Sequence, residues 1–193
     1  LSVSPYTRLG GTPRTTATSE ARSEALRGAI GSIQSAAPES MDNQATTASS
    51  EETLVLIKPD ALERGQIGEV LRRFEAAGLR VRNARWVCPS LATVENHYAD
   101  LKPRNPRAYD RNTRYLAGKN LLALVLTGVH AITKVRTLIG STEPATAAPG
   151  TIRGDLSSDT IKLADSEDRG LYNLVHAADS PESARREIAI WFQ

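Results

Sequence analysis

TLVLIKPDALERGQIGEVLRRFEAAG, residues 53–78, is the stretch whose reading decides the fold class. It opens on TLVLI (53–57), a short continuous apolar run of the length of one buried strand. KPDALERGQ (58–66) follows as a turn-like stretch. IGEVLRRFEAAG (67–78) then spaces Ile67, Val70, Leu71 and Phe74 as one face of a helix, and Gly78 stops it. A strand followed closely by an amphipathic helix points to a mixed sheet-and-helix domain.

The rest of the chain extends this rhythm. LRVRNARWV (79–87) alternates as a half-buried strand does. TVENHYADL (93–101) and PRAYDRNTRYLAG (106–118) predict two helices. LLALVL (121–126) is a second buried strand, and HAITKVRTLIG (130–140) a helix closed by glycine. Residues 141–155, STEPATAAPGTIRGD, show no periodicity and are too long for a plain connector. YNLV (172–175) reads as a last strand. SPESARREIAIWF (180–192) reads as a helix with Ser180 or Asp179 as N-cap, Pro181 in its first turn, and Ala184, Ile188 and Trp191 on its apolar stripe. The order β-α-β-α-α-β-α-loop-β-α contains the βαββαβ skeleton of a ferredoxin-like α+β sheet with added helices.

Residues 1–50 have a different texture. They are rich in Ser, Thr, Ala and Gly, with four Arg balanced by four acidic residues. Such a segment buries too little apolar surface to offset its ordering entropy. At most, residues 19–36 predict a weak helix. The only methionine is Met41, so three readings stand. Met41 is the biological start, or the segment is an organelle transit peptide, or it is a disordered tail. The domain proper is expected over 51–193.

The totals exclude several classes. A net charge of +2 over 193 residues, without a basic run, gives no support for nucleic-acid binding. No apolar stretch is long enough for a membrane helix. One cysteine, Cys88, precludes an internal disulfide and suits a reducing compartment, with the cytoplasm as the expected location. There is no GxxxxGK[ST], GxGxxG, CxxC, HExxH or GxSxG.

What remains is a scatter of cations in irregular segments. Lys58 follows a strand, Arg136 lies on a helix with Thr142 just past it, and Arg153 sits in TIRGD. Polyphosphate needs several fixed donors, and guanidinium forks suit its oxygens. Taken singly, each is more simply a solvated charge. His176 follows YNLV, at an expected strand end beside a helix N-terminus that favours an anion. Glu187, in that helix, is placed to orient the ring, and a neutral imidazole is a good nucleophile near pH 7. The plainer reading is a satisfied structural histidine. His97 and His130, in helical segments without such neighbours, are read as structural.

At this point the motifs accumulate into a resemblance. TLVLIKPDALERGQIGEVLRRFEAAG, HYADL (97–101), PGTIRGD (149–155) and NLVHAADSPESARREIAIWF (173–192) together resemble nucleoside diphosphate kinase, in family order and over nearly all of the domain. The resemblance implies a ferredoxin-like fold and a homo-oligomer, tetramer or hexamer. It also implies Mg2+, carried by the nucleotide phosphates rather than by protein side chains. It implies ping-pong transfer of a γ-phosphoryl group from a nucleoside triphosphate such as ATP or GTP to a diphosphate such as GDP. By the same resemblance His176 is the nucleophile. Lys58, Arg136, Thr142 and Arg153 meet phosphates, Asn173 meets the sugar, Tyr98 lines the pocket and Glu187 supports the histidine. Loop 141–155 walls the nucleotide site and reaches subunit contacts. A non-catalytic scaffold or regulatory member is the alternative.

Three departures from the family pattern accompany it. Ala178 stands where the family usually has serine. Tyr109 is the candidate for the aromatic that stacks on the base. About ten additional residues precede Asn173, and their acidic segment, 156–170, is expected to point outward or to pack on a neighbouring subunit.

Overall fold

The computed structural model describes residues 50–193. The expectations for residues 1–49, including the weak helix and the start at Met41, lie outside the described residues.

TLVLI becomes the inner part of strand β1, Ser50–Ile57. Lys58 is the N-cap of a short helix α1, Pro59–Glu63, with Pro59 in its first turn. KPDALERGQ therefore carries a helical turn where sequence reading expects only a bend. Helix α2, Ile67–Ala76, strand β2, Arg80–Val87, helix α3, Leu91–His97, and helix α4, Pro106–Leu116, follow. Strand β3 is Leu121–Val129 and helix α5 Ala131–Ile139. Loop 141–155 contains one 3-10 turn, Pro144–Thr146, and runs into helix α6, Ile152–Leu156. Helix α7, Ile161–Ser166, strand β4, Val175–Ala177, and helix α8, Pro181–Trp191, complete the domain. Ser180, not Asp179, caps α8, its side chain accepting from the Ser183 N–H at 3.1 Å.

The four strands are ordered β2-β3-β1-β4, and every pair is antiparallel. This is the strand order of the ferredoxin-like fold. The central strands are covered on both faces, which is why they read as apolar runs without alternation. Val55, Ile57, Leu124, Leu126, Val175 and Ala177 face α2 and α5, where Val70, Phe74, Val135 and Ile139 meet them. Leu54, Leu56, Leu121 and Ala123 face the other way, onto Val94 of α3, Leu116 of α4 and Trp191 of α8.

Two strand expectations need correction. β2 is exposed along nearly its whole length rather than half-buried, with Trp86 58% and Val81 38% exposed. It is one of the sheet's two edge strands, and all its side chains but that of Val87 are exposed. The last strand is Val175–Ala177, not YNLV. Leu174 has a left-handed backbone, φ 66°, so the chain turns there and enters the sheet only at Val175. His176 therefore lies inside a strand, and the N-terminus of α8 begins several residues further on.

Candidate active site

Strand period decides where His176 points. Val175 and Ala177 bury into the α2/α5 face, so His176 between them must face α3 and α8. There its Nε2 meets the Glu187 Oε2 at 2.9 Å. Glu187 is 4% exposed, one turn past the first apolar contact of α8. The His176 ring stays partly open to a cleft of about 650 Å3, and its Nδ1 has no hydrogen-bond partner among the described residues.

The approach to His176 is built by one unusual backbone position. Asp60, in the first turn of α1, accepts from the Leu174 N–H through Oδ2 at 2.9 Å. Its Oδ1 accepts from the Tyr115 hydroxyl at 2.8 Å. These bonds hold Leu174 in a conformation that an L-residue seldom adopts. The turn at Leu174 sends Asn173 to one side and His176 to the other. Asn173 is then used twice: its Oδ1 accepts from Lys58 Nζ at 2.7 Å, and its Nδ2 donates to the Thr142 carbonyl at 2.8 Å. Lys58 also donates to the Leu171 carbonyl at 2.6 Å.

Arg153 is 4% exposed and spreads its fork over backbone carbonyls. It reaches Gly140 and Ser141, both at 3.0 Å, on one side, and Asn173 and Val175, at 3.2 and 2.7 Å, on the other. The two walls of the cleft are thereby tied together. Gly140, at φ 81°, permits this closeness, because a Cβ there would run into the Thr151 side chain. Arg136 stands at the rim, 3.5 Å from the Ala177 carbonyl. Lys58, Arg136, Thr142, Arg153, Asn173, Tyr98, His176 and Glu187 thus all line one cleft.

The electrostatics of the group follow from burial and from the concentration of cations. Burial lowers the Lys58 pKa to about 8, against the pull of Asp60. Burial and the neighbouring Arg136 lower Arg153 to about 10. His176 falls to about 3, through burial first and then the positive charges of Arg153, Lys58 and Arg136. Its ring is therefore neutral at physiological pH. Burial raises Glu187 to about 7, partly opposed by His97 and Arg186. Burial also raises the Tyr98 phenol, so it stays protonated.

Three expectations change. Tyr109 does not line the cleft; the face of α4 turned to it carries Ala108, Arg111 and Asn112. One residue along a helix is a turn of about 100°, and Tyr109 instead lies against Lys102 Nζ, 5.1 Å from its ring centre. Segment 156–170 keeps Asp165, Glu167 and Asp168 exposed, as an outward-pointing segment would, but it is also tied to α4 of its own chain. Its carboxylates are neutralised within the chain. Arg111, 7% exposed, pairs with Asp165 and, at 3.0 Å, with Asp168. Arg114 reaches Asp168 at 2.9 Å and Arg169 reaches Asp159 at 2.6 Å. Ile161, Ala164 and Asp165 become a wall of the cleft. Finally, His97 stands beside the site rather than apart from it, its ring 4.5 Å from that of His176. Its place in HYADL carried no local sign of this. Ala178, which has no hydroxyl to offer Glu187, is buried with Ile132 and Ala184.

The antiparallel α+β sheet and a cleft of fixed cations around an uncharged imidazole define the class, a phosphotransferase built without a P-loop. The chain belongs to the nucleoside diphosphate kinase family, whose model, described as Nucleoside diphosphate kinase, matches residues 51–193. A nucleoside diphosphate kinase of Caldanaerobacter subterraneus is 42% identical over 142 residues, covering 74% of this chain and 94% of that one. Human nucleoside diphosphate kinase 3 is 40% identical over 149 residues, covering 77% of this chain and 81% of that one. Among solved structures, a transition-state mimic of the Borrelia burgdorferi enzyme with bound vanadate and ADP superposes with a TM-score of 0.73. It is 35% identical, and the match covers 75% of this chain and 88% of that one. A Pyrobaculum aerophilum NDP kinase superposes at 0.69, with 34% identity over 75% of this chain and 97% of that one. The activity of the chain is accordingly that of a nucleoside diphosphate kinase, and nothing in the site favours a non-catalytic scaffold.

Proposed function

We propose that transfer runs in two half-reactions through a phosphohistidine at His176. The observation that carries this is the division of its ring. Nε2 is committed to Glu187 at 2.9 Å, and Nδ1 is left free toward the cleft. With Glu187 ionised, Nε2 holds the proton and Nδ1 the lone pair. Nδ1 attacks the γ-phosphorus of a nucleoside triphosphate, the N–P bond forms, and the bond to the bridging oxygen breaks. That electron pair leaves on the diphosphate. A terminal oxygen of a second nucleoside diphosphate then attacks the phosphorus, and the N–P pair returns to Nδ1. Lys58, Arg136 and Arg153 offset the charge spread over the transferring group, while Thr142 and Asn173 hold the phosphate and sugar. Such transfer depends on positioning and charge stabilisation more than on proton transfer.

Mg2+ enters with the nucleotide. It prefers oxygen ligands in octahedral array, whereas the one grouping of potential metal ligands among the described residues is two imidazoles and a carboxylate, His97, His176 and Glu187. Phosphate oxygens supply the better site, and the ion there screens their charge. The substrates are nucleoside tri- and diphosphates of broad base identity. The assembly is a homo-oligomer, and the open edge of β2 with exposed Trp86 and Val81 supplies apolar surface for a second copy. The location is the cytoplasm, whose reducing conditions suit the lone exposed Cys88. No described helix is long and apolar enough to cross a membrane.

The test is to incubate the protein with Mg-ATP labelled at the γ-phosphate, remove the nucleotide, and look for label on the chain. The adduct is expected to be acid-labile and base-stable, to discharge to GTP on addition of GDP, and to vanish in His176→Ala. Label on Ser180 or Ser183 instead, or normal exchange by His176→Ala, refutes the mechanism.

A further inference from the structure

Among the described residues, the Nε2 of His97 is the one buried side-chain nitrogen or oxygen without a hydrogen-bond partner. The residue is 1% exposed. Its ring stands edge-on to His176, centroids 4.5 Å apart and planes at 81°. One ring nitrogen of each histidine and a carboxylate oxygen of Glu187 lie within 4.8 Å of one another. An orphaned buried polar atom is costly, and its persistence at a reacting centre calls for a reason.

The position of its proton follows from Trp191. An indole N–H can only donate, and Trp191 Nε1 donates to His97 Nδ1 at 3.1 Å. Nδ1 therefore presents its lone pair. Burial first, then the neighbouring His176, hold the His97 pKa down to about 3, so the ring is neutral at working pH. Its single proton is on Nε2. This argues against a metal ion at the three residues, because Nε2 offers an N–H rather than a lone pair. Moving the proton to Nδ1 would set two donors against each other.

We propose that His97 is a positioning residue for phosphoryl transfer, its Nε2–H a donor reserved for the Glu187 carboxylate that keeps the proton of the His176–Glu187 pair on His176. The proposal rests on His176 being the nucleophile. As Nδ1 bonds to phosphorus, the His176 ring becomes cationic and Glu187 must remain its counter-ion. A neighbouring N–H strengthens that anion, and the His97 ring stands beside the pair it serves, its centroid 4.5 Å from that of His176. The charged and titratable groups around Glu187 are His176 from β4, His97, Tyr98 and Asp100 from α3 and the turn after it, Arg186 at 3.7 Å on its own helix, and Asp179 before that helix. Burial, Asp179 and Asp100 favour the neutral carboxyl and the Arg186 charge opposes them, while a neutral His97 acts on it through its N–H dipole rather than through a charge. Without His97, Glu187 takes up a proton at higher pH, and the lone pair of Nδ1 is lost with it.

The experiment is single-turnover phosphorylation of the full chain by Mg-ATP across the neutral pH range, in the wild type, His97→Phe, His97→Gln and Trp191→Phe. His97→Phe is expected to slow phosphorylation about fivefold at pH 7 and to move the acid limb up by about one pH unit, with the half-saturating ATP concentration unchanged. His97→Gln, which restores an N–H near Nε2, is expected to recover most of the rate and the limb. Trp191→Phe, which unlocks the tautomer, is expected to shift the limb in the same direction by less. A His97→Phe enzyme with the wild-type pH profile overturns the proposal, as does a His97→Gln enzyme no better than His97→Phe. Nitrogen-15 shifts of His97 in the unaltered protein need no variant to fold, and an Nδ1–H tautomer there also overturns it. So does stoichiometric Zn2+ binding that His97→Gln abolishes. Failure of the wild type to label on His176 is a separate result, directed at the reading of the site itself.

Discussion

Asp60→Ala tests the chain of support beneath His176. Asp60 is 5% exposed, and its two oxygens accept from the Leu174 N–H at 2.9 Å and the Tyr115 hydroxyl at 2.8 Å. Truncation leaves both donors buried, and each unsatisfied donor costs about 1–3 kcal/mol. It also releases Leu174 from its left-handed backbone, so part of the roughly 1–3 kcal/mol stored there is recovered. The net loss is then about 3 kcal/mol, a large share of the ~5–15 kcal/mol of an ordinary domain. With a urea slope of ~2 kcal/mol/M, the midpoint falls by roughly 1.5 M. The functional loss should exceed the loss of fold. Once Leu174 relaxes, Asn173 leaves Lys58 and the Thr142 carbonyl, and His176 loses its aim. Phosphorylation at temperatures where the variant is still folded is therefore expected to drop at least ~100-fold, since misplacement of about 1 Å has that effect. A midpoint within about 0.3 M of wild type, on the same slope scale, together with normal phosphorylation would refute the argument.

Two further expectations concern charge. Phosphorylation should show an acid limb near pH 7 that belongs to Glu187, whose pKa burial raises to about 7, and not to His176, which burial and its cationic neighbours hold at about 3. As pH falls below 7, Glu187 takes a proton, the pair's hydrogen bond reverses, and the rate declines about tenfold per pH unit; Glu187→Gln should flatten that limb while lowering the plateau. Arg111→Ala should free Asp165 and Asp168 from the clamp between α4 and segment 156–170. Both carboxylates are largely exposed, so the stability change stays near ~1 kcal/mol, but a cleft wall loosens, and steady-state kinetics should show KM for the nucleotide raised about threefold to tenfold with kcat little changed.

How much of this was legible beforehand differs by element. The central strands were plain, because strands buried on both faces cannot alternate and TLVLI and LLALVL do not. The helix after His176 was plain, because Ser180 and Pro181 are local cap chemistry. The candidate residues could be named because their neighbours in sequence, KPD, TIRGD and N-x-x-H, are also their neighbours in the turns that hold them. The end of β4 was misread because its boundary is set by the Asp60–Leu174 bond, between residues 114 apart. Tyr109 was misassigned because the number of residues in α4 does not reveal which of its faces meets the cleft.

The sequence by itself determined the elements, their order and the chemistry available, since periodicity, capping and side-chain type are local properties. Only the tertiary structure decided which of that chemistry meets. A slip of one residue in the pairing of β4 with β1 would turn His176 into the apolar layer among Val55, Ile57 and Leu124, because strand side chains alternate. Likewise His97 meets His176, and Arg111 meets Asp165, across separations of 79 and 54 residues (176 − 97 and 165 − 111). Contacts of that span are selected by how helices pack on the two faces of a sheet, a choice made by the whole buried core and by no single stretch of chain.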